Sequence, residues 1–149
     1  MMIRVLLIFI FAVILNGIVI TNSTAQVFEN SEEAFSTASS TKKKVLLVFS
    51  GSDWCVPCVQ LDETIISSTT FLNFAKDNLI IIKADFPQRK KLSKEKQAQN
   101  EALADKYNPT GEFPEMVLLR ADQSVVTKLV YSNQSPDQFI HEITPYLSK

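Results

Sequence analysis

The sequence predicts an α/β domain, and three observations carry that expectation. Apolar runs of strand length recur at Val45 to Phe49, Leu79 to Ile82, Met116 to Leu119 and Val125 to Val130. Segments with helix caps and helical spacing stand before, between and after them. The last two runs are separated only by the polar turn Ala121-Asp122-Gln123-Ser124, the pattern of an antiparallel hairpin. At 149 residues and 46% hydrophobic composition the chain has enough apolar surface for one domain with a real core, and a second domain is not expected.

The N-terminus sets the compartment. Met1 to Ile20 is an apolar run with one early charge, Arg4, followed by polar Thr21 to Thr24 and then Ala25. A basic start, an apolar centre and small residues at Ser23 and Ala25 read as a secretory signal over residues 1–25, cut before Gln26, leaving a domain over 26–149. The alternative is an uncleaved anchor, because the run is nearly long enough to span a bilayer. With no cysteine nearby, a lipidated N-terminus is excluded. Either reading puts the remainder outside the cytoplasm. Fifteen Lys and Arg against 16 Asp and Glu leave no concentrated basic surface, so a nucleic-acid partner is not expected.

From Gln26 the elements follow in order. Ser31 ahead of Glu32 and Glu33 is a cap with acids in the first turn, which predicts a helix to about Ser40. Thr41 to Lys44 reads as a solvated turn before the buried strand Val45 to Phe49. Gly51-Ser52-Asp53 then turns the chain, the glycine permitting a backbone path that a bulkier residue would resist.

A helix is expected from Cys55 to about Ile66, with Val59, Ile65 and Ile66 among its apolar positions, and a second from Phe71 to Asp77. Leu79 to Ile82 is an unbroken apolar run, as in a central strand buried on both faces, and Asp85-Phe86-Pro87 ends it. Gln88 to Gln99 holds Arg89, Lys90, Lys91, Lys94 and Lys96; it reads as a loop continuing into a helix to Tyr107. Its charges are either a solvated face or a docking surface for an acidic partner or an anionic membrane. Asn108-Pro109-Thr110-Gly111 is a turn, and Ser135-Pro136-Asp137 starts a last helix whose apolar face is Phe139, Ile140, Ile143 and Leu147; Pro145 should end or kink it.

Chemistry concentrates in Trp54-Cys55-Val56-Pro57-Cys58, where a strand ends and a helix begins. In the first helical turn Cys55 would meet unpaired N–H groups and the positive end of the dipole, both favouring a thiolate. Cys58, three residues on, lies on the same helical face. Pro57 suits a first turn because the N–H it lacks had no partner there. Zinc would need four ligands, and the chain offers only one further candidate, His141, so no metal is expected. A purely structural disulfide closing so short a loop would constrain the unfolded chain little. A redox role fits better. No cofactor is expected.

The stretches "EEAFSTASSTKKKVLLVFSGSDWCVPCVQLDETI", "FLNFAKDNLIIIKADF" and "GEFPEMVLL" together resemble secreted bacterial thioredoxin-like proteins and the C-terminal domain of membrane disulfide-reducing transporters. That resemblance implies the thioredoxin fold: a central mixed β-sheet of about four to five strands flanked by helices on both faces. It also implies roles. Cys55 would attack a client disulfide and Cys58 would resolve the mixed disulfide. Trp54, with Phe113 and Pro114, would bind substrate, Pro114 matching the family's cis-proline. The expected partners are disulfide-containing client proteins and a membrane electron donor, met by a monomer in the periplasm. A binding module without catalysis is the alternative.

Two departures from the family stand out. Phe49 occupies the strand position where cytosolic thioredoxins carry a buried Asp, leaving Asp53, Asp62, Glu63 or water to deprotonate the resolving thiol. Glu115 follows the proline where Thr is usual; near the sulfurs its charge would oppose a thiolate, whereas pointing to solvent it would not. Val56-Pro57 offers the sulfur neither hydrogen bond nor charge, which suggests a moderately reducing dithiol, with a disulfide oxidant or isomerase as a further alternative.

Overall fold

In a computed structural model, residues 25–148 are described, and the expected signal or anchor lies outside them except for Ala25. Five strands form one sheet in the order β1-β3-β2-β4-β5. β1 (Gln26–Phe28), β2 (Lys44–Ser50) and β3 (Leu79–Asp85) run parallel, with β3 between the other two. β4 (Glu115–Leu119) is antiparallel to β2, and β5 (Val125–Leu129) pairs antiparallel with β4. The mixed sheet and the hairpin are as expected. β1 is an addition: three residues have no readable period, and only the register of Gln26 to Phe28 against Ile80 to Ile82 makes them a strand.

Helices cover both faces. α1 (Ser31–Thr41) and α4 (Lys94–Tyr107) enclose a core of Phe35, Leu47, Phe49, Ile82, Leu103 and Val117. On the opposite face α2 (Val56–Leu61), α3 (Thr69–Asn78) and α5 (Pro136–Ile143) enclose Leu46, Leu61, Ile65, Phe71, Leu118 and Phe139. Alternation along β2 decides the division, sending Leu46 and Val48 one way and Val45, Leu47 and Phe49 the other. β3 is buried on both faces from Leu79 to Ile82, as its composition predicts.

The helix ends are set by short polar side chains. Ser68, Ser93 and Ser135 cap α3, α4 and α5, and Ser135 with Gln138 closes a full capping box. The cap of α1 is Asn30, whose carbonyl accepts the Glu33 N–H at 2.9 Å, and Ser31 is the first helical residue. The cap expected at Ser31 thus lies one residue earlier in the chain. α5 ends at Ile143, and Thr144–Tyr146, containing Pro145, tightens into a 3-10 turn.

The expected single helix from Cys55 to Ile66 is two pieces. After Leu61, Asp62–Ile66 widens to a π turn, with the Ser67 N–H reaching back to the Asp62 carbonyl at 2.8 Å. Ile65 and Ile66 are thereby both buried.

Candidate active site

β2 delivers the chain to Ser50 at the edge where Cys55 lies. Cys55 is the N-cap of α2 and not a residue of its first turn: its backbone is extended (φ −93°, ψ 98°), and its sulfur accepts the Cys58 N–H at 3.3 Å. The favourable donor anticipated for this sulfur is therefore present one position earlier than expected. Cys55 and Cys58 are joined by a disulfide. Both cysteines are buried, Cys55 at 5% exposure and Cys58 at 1%.

The three residues before Cys55 are tied to the end of β3 and the loop after it. Ser52 donates its N–H and hydroxyl to the Asp85 carboxylate at 2.8 and 2.6 Å. Asp53 accepts the N–H groups of Gln88, Arg89 and Lys90 at 2.8, 2.8 and 3.1 Å. Those donors, the Gln88 N–H foremost, hold the Asp53 carboxyl below its ordinary value. Trp54 donates its indole N–H to the Phe86 carbonyl at 2.7 Å. None of these partners was legible in the sequence, because pairing loops more than 30 residues apart is a property of the parallel β2–β3 register.

Gly51 has a different reason from the one expected. A Cβ there would lie 2.3 Å from the Trp54 ring, so what demands glycine is the close approach of the indole. The Phe113 ring meets Trp54 edge-on at 5.4 Å between centroids and Phe86 at 5.6 Å, and the Phe113–Pro114 bond is cis. The structure thus brings Phe113, which precedes the cis-proline Pro114, against Trp54, the residue next to Cys55. Val56, between the cysteines, is 67% exposed and Trp54 39%, which leaves an apolar surface beside Cys55.

Behind Cys58 lies a cleft of about 290 Å³ whose lining includes Val59, Asp62, Glu63, Lys83 and Asp85. Asp62 follows Cys58 by one helical turn, its N–H bonded to the Cys58 carbonyl. Its carboxylate is ion-paired with Lys83 on β3 and accepts the Ser67 hydroxyl at 3.1 Å. Both charged groups are partly open to solvent, with side chains 42% and 33% exposed. Phe49 is buried on the other face of the sheet, 6.5 Å from the Phe86 ring, so no acid from β2 reaches this cleft from its position. Of the acids considered, Asp53 is engaged by backbone donors, while Asp62 and Glu63 share the cleft with Cys58. Lys83 was missed; its sequence signal is a cation directly after the apolar run of β3.

Glu115 neither opposes the sulfurs as a free charge nor points to solvent. It pairs in register with Phe49, its side chain is 10% exposed, and Lys128 Nζ lies 2.5 Å from Oε1. That oxygen has no well-aligned hydrogen bond, so the ammonium charge is what compensates it. Lys96 is likewise removed from the basic surface: it is ion-paired to Glu29 at 3.0 Å.

A thioredoxin-like family model matches residues 25–121. The chain belongs to the thioredoxin-like family. This thioredoxin-like protein is 32% identical over 102 residues to the disulfide bond reductase DsbH of Chlamydia pneumoniae, covering 68% of this chain and 61% of DsbH. It is 24% identical over 98 residues to the thioredoxin-related protein DsbJ of the same organism, covering 66% of this chain and 28% of DsbJ. The chain therefore spans less than two thirds of either relative.

A solved structure of a DsbH oxidoreductase superposes with a TM-score of 0.77 at 26% identity, over 86% of this chain and 89% of that one. The oxidised C-terminal domain of Neisseria meningitidis DsbD shares the fold, with a TM-score of 0.54 at 18% identity over 77% and 90% of the two chains. The thioredoxin-like chain carries the fold and the dithiol of a thiol–disulfide oxidoreductase.

Proposed function

We propose that this thioredoxin-like protein is an extracytoplasmic reductase of disulfides in client proteins, working as a monomer through Cys55 and Cys58. The observation that carries the reading is the asymmetry of the pair: Cys55 is flanked in the chain by the exposed Trp54 and Val56, whereas Cys58 is buried and lines a charged cleft. Its similarity to a protein named a disulfide bond reductase supports the same direction.

In the reduced protein the Cys55 thiolate attacks one sulfur of a client disulfide. The client's other sulfur leaves as a thiolate and takes a proton. Cys58 then loses its proton and attacks Cys55 Sγ, forming the internal disulfide and releasing the second client thiol. Two electrons pass to the client, and a membrane dithiol donor restores the starting state. Asp62, held by Lys83 one turn below Cys58, is the proton acceptor in this scheme. Trp54, Phe113 and Pro114 form the wall against which the client strand lies.

The apolar residues Met1 to Ile20 support export to the periplasm, as a cleaved signal or as an anchor. No helix among the described residues is long and apolar enough to cross a membrane.

The deciding experiment is the reduction potential of the pair in glutathione or dithiothreitol buffers, read by Trp54 fluorescence. A value towards about −270 mV supports a reductase, and one near about −120 mV makes the protein an oxidant. No reversible couple would place it among binding modules.

A further inference from the structure

The hydrogen bonds of Asp53 fix more than a loop. By engaging the backbone of Gln88, Arg89 and Lys90, the carboxylate holds a run of cations beside the cysteine pair and leaves their side chains outward. Arg89, Lys90, Lys91 and Lys94 are all exposed, and no acidic residue occurs between Asp85 and Glu95. Among the described residues none of these four forms a close ion pair, in contrast to Lys83, Lys96 and Lys128, although the Arg89 charge lies near enough to Asp53 to help lower that carboxyl. Lys90 lines the same cleft as Cys58, where the acids Glu29, Asp62, Glu63 and Asp85 face Lys83, Lys90 and Lys96, so the surplus of positive charge lies on the loop outside the cleft. The chain as a whole carries a formal charge of −1, which makes this concentration of positive charge local.

Resting on the proposed redox role, we infer that the loop from Arg89 to Lys94 is a docking rim for the client protein that is the redox partner. The partner's cysteines are flanked by acidic residues on the side that meets the loop. Trp54 and Val56 supply the apolar contact next to Cys55, and the cations set which way round the partner lies. A protein partner fits better than an anionic bilayer, because a membrane lying on this rim would cover Cys55 and exclude the client.

The test uses two disulfide-bonded peptides of one scaffold, flanked by Glu in one and by Lys in the other, reduced at low and high salt by the protein, with dithiothreitol regenerating its dithiol and the direct reaction of dithiothreitol subtracted. The acidic peptide should be favoured in kcat/KM by about tenfold at low salt, and the preference should vanish at high salt. Arg89→Gln with Lys91→Gln, which leaves Lys90 and Lys94 in place, should lower the ratio, and Arg89→Glu with Lys91→Glu, which cancels the charge of those two lysines, should bring it to about one. Because the readout is a ratio within one protein, a general loss of structure does not imitate it.

Equal turnover of the two peptides, or a preference untouched by the loop variants, overturns the docking rim while leaving the reductase standing. Binding of vesicles of anionic lipid, lost in the same variants and with no peptide preference, makes the loop a membrane contact instead. Turnover of neither peptide overturns both the rim and the redox role.

Discussion

Trp54 donates its indole N–H to the Phe86 carbonyl at 2.7 Å, so the ring beside the cysteine pair is positioned from 32 residues away. Phe86 follows β3, and Phe113 precedes β4, so three aromatic residues from separate segments meet at one rim. The indole rests on the face of Gly51.

Gly51→Ala tests that seat. The new methyl would fall 2.3 Å from the indole, far inside van der Waals contact, and the ring would have to leave Phe86. Overpacking of this kind costs about 1–3 kcal/mol. A lowered denaturation midpoint with a red-shifted Trp54 emission is the expected pair of results; an unchanged spectrum would show that the ring is held elsewhere.

Asp62→Asn should leave formation of the mixed disulfide intact and slow its resolution. Because Asp62 is partly open to water, which can also accept the proton, the effect should stay below about a hundredfold, the low end for a general base. Rapid-mixing kinetics separate the two steps. Equal slowing of both would remove Asp62 from the role of acceptor.

Lys128 and Glu115 should respond unequally. Lys128→Met leaves a carboxylate on β4 buried without its counter-charge and should cost about 1–3 kcal/mol, whereas Glu115→Gln should cost less. Urea denaturation of both variants checks the order. A Lys128→Met protein as stable as the parent would mean that solvent already compensates Glu115.

Asp53 gives a pH signature. Its folded-state pKa is depressed below the ordinary 3.8, so its stabilising effect is fully present above that value and is lost as pH falls through the depressed one. The amide hydrogens of Gln88, Arg89 and Lys90 should stay protected from neutral pH down to about pH 4 and lose protection below it. In Asp53→Ala the same amides should exchange faster throughout. Hydrogen exchange measures both, and protection in the variant equal to the parent would deny Asp53 its part in holding the loop.

Much of the site could be read from the chain because its signals are local. Trp54-Cys55-Val56-Pro57-Cys58 between an apolar run and a helical segment specifies a dithiol at a helix start, and Ser135 with Pro136 announces the last helix without help from the rest of the fold. The π turn at Asp62–Ile66 escaped because hydrophobic spacing there fits an ordinary helix as well.

The sequence by itself determined the α/β class, the hairpin and the cysteine pair, since periodicity, caps and spacing act over a few residues. The tertiary structure alone decided what surrounds the sulfurs. The parallel register of β2 and β3 sets Asp85 and Phe86 beside Ser52 and Trp54, and lays the basic loop against Asp53. The packing of the α2 segment on that sheet brings Asp62 to Lys83 in the cleft of Cys58, and the pleat of β4 pairs Glu115 with Lys128. Side chains far apart in the chain become neighbours only when strands align, and no local pattern encodes that alignment.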